Sequence, residues 1–124
     1  MKNFFIFVSM PMNGLGVEEI TENAKKYKQQ AVVAAKKYLE NHGVTKMPAF
    51  HVADSYHRDP VPEFIKSQGL YCLGWSFQVL SGCDFAYFVP GWETARGCKM
   101  EHEAALAYAI PIYEEVETDV KDTK

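Results

Sequence analysis

The opening residues constrain the fold more than any others. Phe4 to Val8 are five consecutive apolar side chains inside the run Asn3–Ser9. Successive side chains of an extended strand point to opposite faces of its sheet. A strand with this run therefore has apolar groups on both faces, and both must be covered. That is the pattern of a central strand in a parallel sheet with helices on either side.

The next segments fit that geometry. SMPMNGLG, from Ser9 to Gly16, is a loop in which Pro11 stops regular pairing and Asn13-Gly14 supplies turn chemistry. A long helix is expected from about Val17 to Asn41. Val17, Ile20, Ala24, Tyr27, Ala31, Ala35 and Tyr38 recur on one face. Lys25, Lys28 and Lys36 lie off that stripe, on the solvent side, and Gly43 sits where a helix-ending residue belongs.

Met47 to Val52 reads as a weaker second strand, and ADSYHRDPVP after it as a loop with two prolines. Glu63 to Gly69 reads as a short helix, Tyr71 to Ser81 as a helix, and Cys83 to Val89 as a strand closed by Pro90-Gly91. Thr94 to Ala109 carries the last helix and Ile110 to Tyr113 the last strand. The alternation predicts a single-domain α/β three-layer sandwich with a mostly parallel, flavodoxin- or Rossmann-like sheet of four to five strands. The domain is expected over 1–113, with a polar C-terminal tail over 114–124.

Composition narrows the function classes. With 124 residues there is room for one domain, and 48% apolar content is enough for a core without staples. A net charge of −3 with no basic face argues against a nucleic acid polymer as partner. Asn3 to Val8 is too short for a membrane span and no small-residue cleavage site follows it, so neither a membrane nor a leader is expected. The three cysteines, Cys72, Cys83 and Cys98, have no paired spacing, which points to a reducing, cytoplasmic setting. No Walker A and no GxGxxG occurs, so no nucleotide cofactor is indicated. His51, His57, Asp54 and Asp59 fit no familiar ligand spacing, so no metal is expected either.

In open parallel sheets ligands bind beyond the carboxyl ends of the strands. Here those ends are the Ser9–Gly16 loop, the loop after Val52 and the Pro90–Gly97 loop. Glu101 adjoins them. It is expected in the first turn of a helix that offers no polar face from Ala104 onward and so should be buried on most sides. Glu101 aligns with Ala104, Ala105 and Tyr108, which suggests a carboxylate lining a cleft. The competing explanation is electrostatic: a carboxylate in a first helical turn gains roughly 0.3–1 kcal/mol from the helix dipole. His102 and Glu103 read as surface residues. Cys98 lies at the helix N-terminus, where thiols are acidified, but only His102 is near enough in sequence to serve it.

The segment CDFAYFVPGWETARGCKMEHEAALAYAIPIY resembles the C-terminal half of the nucleoside 2-deoxyribosyltransferase-like superfamily. It is most similar to a small phage-associated branch of unknown function, with a strand, a Pro-Gly-Trp-Glu loop and a Gly-x-x-x-Glu helix in that order. IFVSMPMNGL resembles the first strand and loop of that branch. The resemblance covers somewhat more than half the chain, and 43–75 lies outside it. It implies an N-glycosidic-bond enzyme that transfers or hydrolyses a 2-deoxyribosyl group of a nucleoside or its 5'-monophosphate. The alternative is a non-catalytic nucleotide-binding or sensing protein.

The resemblance also implies roles. Glu101 would be the nucleophile at the anomeric carbon, and Asp84 would hold or protonate the base. Ser9, Pro11, Met12 and Gly14 would surround the sugar and any phosphate. Trp92 would stack on a base, and Glu93, Arg96 and Gly97 would complete the pocket. A homo-oligomer, dimer or higher, is implied too. Two positions depart from the pattern. Arg96 stands where better-known transferases carry an acidic residue that helps bind the base. Phe7 stands where several members carry a tyrosine that orients the nucleophile.

Overall fold

A computed structural model describes residues 1–115. Its elements are β1 (Asn3–Ser9), α1 (Val17–Asn41), β2 (Ala49–Asp54), α2 (Gln68–Ser81), β3 (Phe85–Phe88), α3 (Arg96–Ala107) and β4 (Ile112–Glu114), with a 3-10 turn at Trp92–Thr94. The four strands form one sheet in the order β2-β1-β3-β4. Every pairing is parallel: Phe5 lies opposite His51, Val8 opposite Tyr87 and Phe88 opposite Glu114. The chain is thus a single α/β sandwich with an all-parallel, Rossmann-like sheet. Among the described residues no helix is long and apolar enough to cross a membrane.

Both faces of β1 are covered except at Phe5, which is 42% exposed and stacks on His51. Phe4, Ile6 and Val8 pack with Phe85 and Tyr87 against Ala24, Ala31, Ala35 and Leu39 of α1. Phe7 packs on the other side with Ala86, Phe88, Leu80 and Ala105. Each large side chain taken fully from water contributes about 1.5–3 kcal/mol. The small alanine stripe lets α1 lie close on the sheet. Helix α2 is different: it packs mainly on α3, and only Ser76 and Leu80 of its residues are buried.

β1 and α1 have the bounds expected from the sequence, and Gly43 adopts the left-handed φ of +83° just beyond α1. Other boundaries move. β2 runs to Asp54 rather than ending at Val52, because Asp54 is neutralised as it enters the sheet edge. Lys28, expected in solvent, reaches it at 3.1 Å, and Arg58 grips it bidentately at 2.8 Å through each nitrogen. No helix forms over 63–67. Ser67 instead caps α2, its side chain accepting from Leu70 N–H, so that helix begins at Gln68.

The last helix also differs. Gly91, at φ +93°, turns the chain into the 3-10 turn, and Thr94 donates its hydroxyl proton back to the Gly91 carbonyl. α3 therefore starts at Arg96, and Glu101 falls in its second turn. Its C-terminal end is not buried on most sides. Ala105 is covered, but Leu106 and Tyr108 are 55% and 82% exposed. Glu114, assigned to the polar tail, is the last residue of β4. It binds His102 at 2.6 Å, and Glu115 N–H donates to the Phe88 carbonyl. The rest of that tail, 116–124, lies outside the described residues.

Candidate functional site

Glu101 is the most unusual group in the fold. Its residue is 3% exposed, and no lysine, arginine or histidine pairs with it among the described residues. Two hydroxyls hold it instead. Ser9 Oγ donates to Oε1 at 2.6 Å, and Ser76 Oγ donates to Oε2 at 2.7 Å. Three elements meet there. Ser9 ends β1 on the face shared with Phe7, Ser76 comes from the buried side of α2, and Glu101 from α3. Burial pushes the Glu101 carboxyl above its ordinary value, and the Ser9 and Ser76 hydroxyls pull against that.

A cavity of about 360 Å³ opens beside this carboxylate at the carboxyl ends of the strands. That is a volume suited to a small molecule. The loop Met10–Asn13 forms one wall, and Ser67 at the cap of α2 with Gly69, Leu70 and Ser76 of that helix forms another. Arg96, Gly97, Cys98 and Met100 of α3 complete it, with Ser55 at the end of β2. The first-turn amides of α3 have no side-chain cap. Such amides carry partial positive charge, and the Arg96 guanidinium stands at the same helix end.

The residues proposed from sequence divide. Glu101, Pro11, Met12, Arg96 and Gly97 line the cavity, and Ser9 holds Glu101 from behind. Gly14 does not line it but makes the loop's left-handed turn at φ +80°. Trp92 stacks flat on His102, 4.0 Å between ring centroids, and also meets Phe88, so it covers the core. Glu93 is exposed in the 3-10 turn, off the cavity lining.

Asp84 belongs to the opposite end of the sheet. It precedes β3, its carboxylate accepts from Phe5 N–H at 2.8 Å, and it is exposed. The length of β3, roughly 13 Å at 3.3 Å per residue, separates it from the cavity. Asp84 thus caps the entry of a strand, away from the cavity that Glu101 lines.

Cys98 lines the cavity but is no thiolate. Burial pushes its thiol up to about 12; contact with Ser9 opposes this and the Glu101 charge adds to it. His51 bonds Asn3, and Asp54 is committed to Lys28 and Arg58. Burial alone would raise the Asp54 carboxyl, yet Arg58, Tyr56 N–H and Lys28 together hold it below its usual value. Among the described residues no three His, Cys, Asp or Glu side chains gather as a metal set.

Ser76 was missed from the sequence. Its signal was present: a hydroxyl on the side of α2 that carries Leu73 and Leu80, where only a partnered polar group is tolerated. Met10, Asn13, Ser55 and Met100 carry no comparable signal, since only folding brings the loop after β1, the end of β2 and α3 around one cavity.

The model of a protein family described as "Domain of unknown function (DUF4406)" matches residues 6–114. No curated protein and no solved structure matches the chain.

Proposed function

Because the chain belongs to this DUF4406 family, whose description assigns no activity, we propose a function from the pocket itself. The protein is an N-glycosidic-bond enzyme acting on a 2-deoxyribonucleoside or its 5'-monophosphate, with Glu101 as nucleophile. One observation carries this reading: a carboxylate buried in a cavity, bonded by two hydroxyls and paired with no cation among the described residues. Buried charges kept for stability are normally paired. An unpaired one in a cleft is a functional candidate.

The chemistry follows from the contacts. Ser76 lines the cavity and Ser9 does not, so Oε2, which Ser76 holds, is assigned as the attacking oxygen. The Ser76 hydroxyl has a second acceptor, the Leu73 carbonyl at 2.9 Å. Turning to it frees Oε2 while Ser9 keeps Oε1 in place. Oε2 then bonds to the anomeric carbon as the C–N bond breaks, and the electron pair leaves with the base, which takes a proton from water or a cavity donor. The transition state is oxocarbenium-like, and the glycosyl ester is resolved by water or a second base. The two serines take the part of the hydroxyl that Phe7 lacks. Arg96 and the open amides of α3 suit a 5'-phosphate, which favours the monophosphate. Active chains are expected to be homo-oligomers.

The second reading is a non-catalytic nucleotide-binding protein. Its support is the cavity itself, whose polar wall and Arg96 can hold a nucleotide without Glu101 attacking it. One experiment separates them. Deoxyribonucleosides and their monophosphates are incubated with the protein, with and without acceptor bases, and released or exchanged base is measured. Cleavage by the wild type that Glu101→Ala abolishes supports the enzyme. Equal cleavage by both refutes Glu101 as nucleophile. Ligand-dependent thermal shifts without cleavage favour the binding protein, and no shift with any ligand defeats both.

A further inference from the structure

Helix α2 contains no charged side chain in fourteen residues, QGLYCLGWSFQVLS. A helix without charges belongs in an interior, yet most of this one faces outward. Leu70, Gly74, Phe77 and Ser81 follow one another along the exposed side, with Tyr71 and Gln78 beside them. Leu70 is 68% exposed and Phe77 38%, and Met100 of α3 adds 47% beside Leu70 at the mouth of the cavity. Phe64, 78% exposed, lies in the loop leading to α2. At roughly 200 Å² per large side chain, the exposed Phe64, Leu70, Tyr71, Phe77 and Met100 present about 500 Å² of apolar surface. That is more than half of what each side of a standard interface buries, and comparable to the largest apolar patches that monomers leave open, which often serve a function.

We propose that a second copy of this chain packs on this side of α2 about a two-fold axis passing beside Gly74. The proposal rests on the homo-oligomer reading above, but not on the glycosidic chemistry. Two features select a second copy as the occupant. A two-fold contact sets each residue near the axis against itself, so any charge there would meet its own sign; α2 has none. The stripe is also complementary to itself. Leu70 and Phe77 lie about one turn on either side of Gly74, so antiparallel copies set each Leu70 against the other copy's Phe77. Gly74 supplies the gap between them, because a Cβ there would meet nothing within 4 Å in its own chain. Helix axes at the near end of the usual 8–10 Å range meet where the residues at the crossing are small.

The contact bears on the site. α2 carries the Ser76 hydroxyl that bonds Glu101, and only two of its residues are buried in its own chain. A partner on its outer side fixes the helix, and with it the second donor to the carboxylate.

Sedimentation equilibrium on the full chain tests this. The wild type is expected at twice the 14.1 kDa chain mass. Gly74→Arg, whose side chain enters open space in its own chain, is expected at one chain mass with unchanged circular dichroism. Phe77→Glu should do the same, while Tyr108→Arg, on an exposed residue past the end of α3, should stay dimeric. A wild type at one chain mass at roughly 100 μM, where an interface of this size should be populated, overturns the proposal. So does a folded Gly74→Arg that remains as dimeric as the wild type. Sedimentation does not read chemistry, so its failure is distinct from a failure of the glycosidic assay.

Discussion

Replacing Glu101 by glutamine should make the protein more stable while abolishing base release. Glutamine keeps the shape and the partners. Its carbonyl accepts from Ser9, and Ser76 can donate to the Leu73 carbonyl, 2.9 Å away, and accept from the new amide. What changes is the charge. The wild-type carboxylate loses hydration on burial, an effective cost of several kcal/mol per ion. Two charge-assisted bonds recover about 1 kcal/mol each beyond neutral ones. The direction of the Glu101 shift says that burial outweighs them. A net gain of about 1–3 kcal/mol is therefore expected for Glu101→Gln at pH 8, or roughly 4–10 °C in Tm for a chain this size.

The sign of the pH dependence is fixed. Because the folded carboxyl titrates above its ordinary value of 4.5, its stabilising contribution is complete below pH 4.5. It is lost as pH rises through the folded value. The stability difference between variant and wild type should thus be small in acid and grow toward pH 8. Urea unfolding of both proteins at several pH values between 4 and 8 measures it. A variant less stable than the wild type at pH 8, or a difference that does not change with pH, refutes the reasoning.

Ser76→Ala removes one donor that favours the charged carboxylate. The acid limb of kcat/KM should move to higher pH by about one unit for a charge-assisted bond of about 1.4 kcal/mol; an unchanged profile denies Ser76 this part. Arg96→Ala should raise KM for a monophosphate by about ten- to a hundredfold and leave the free nucleoside nearly unaffected, the selectivity expected of a phosphate contact. Steady-state kinetics on the matched pair decides it. Asp54→Asn should cost about 2–3 kcal/mol, a sum discounted because Lys28 and Arg58 are 35% and 49% exposed. Since the Asp54 carboxyl is held below its ordinary 3.8, that stability is present above pH 3.8. It fades as pH falls through the lowered value, which acid unfolding curves will show.

The sequence made local periodicity legible and left long-range compensation hidden. β1 and α1 could be bounded to the residue because an apolar run and a 3.6-residue stripe are properties of the segment itself. Asp54 could not be placed in β2, because a buried aspartate is tolerable only once the loop after it folds Arg58 back onto it and Lys28 arrives from another element. Asp84 and Glu101 were both carboxylates beside apolar runs. Nothing local tells that one caps a backbone N–H at one end of the sheet while the other faces a cavity at the other end. The second-turn position of Glu101 depends on Gly91 folding the chain into a 3-10 turn first. That also removes the helix-dipole explanation, which applies to the first turn.

The carboxylate is held by residues far apart in the chain, Ser9 from 92 positions away and Ser76 from 25. Two of these three anchors, β1 and α3, belong to the packed layers, whereas α2 is the most weakly rooted. The site and the fold therefore need not fail together. A brief local opening of α2 takes one donor and a wall of the cavity away while β1, β3 and α1 stay assembled. Amide hydrogens of α2 should then exchange well ahead of those of β1. The free energy of that small opening, rather than of global unfolding, sets how much of the population holds a complete pocket at any moment.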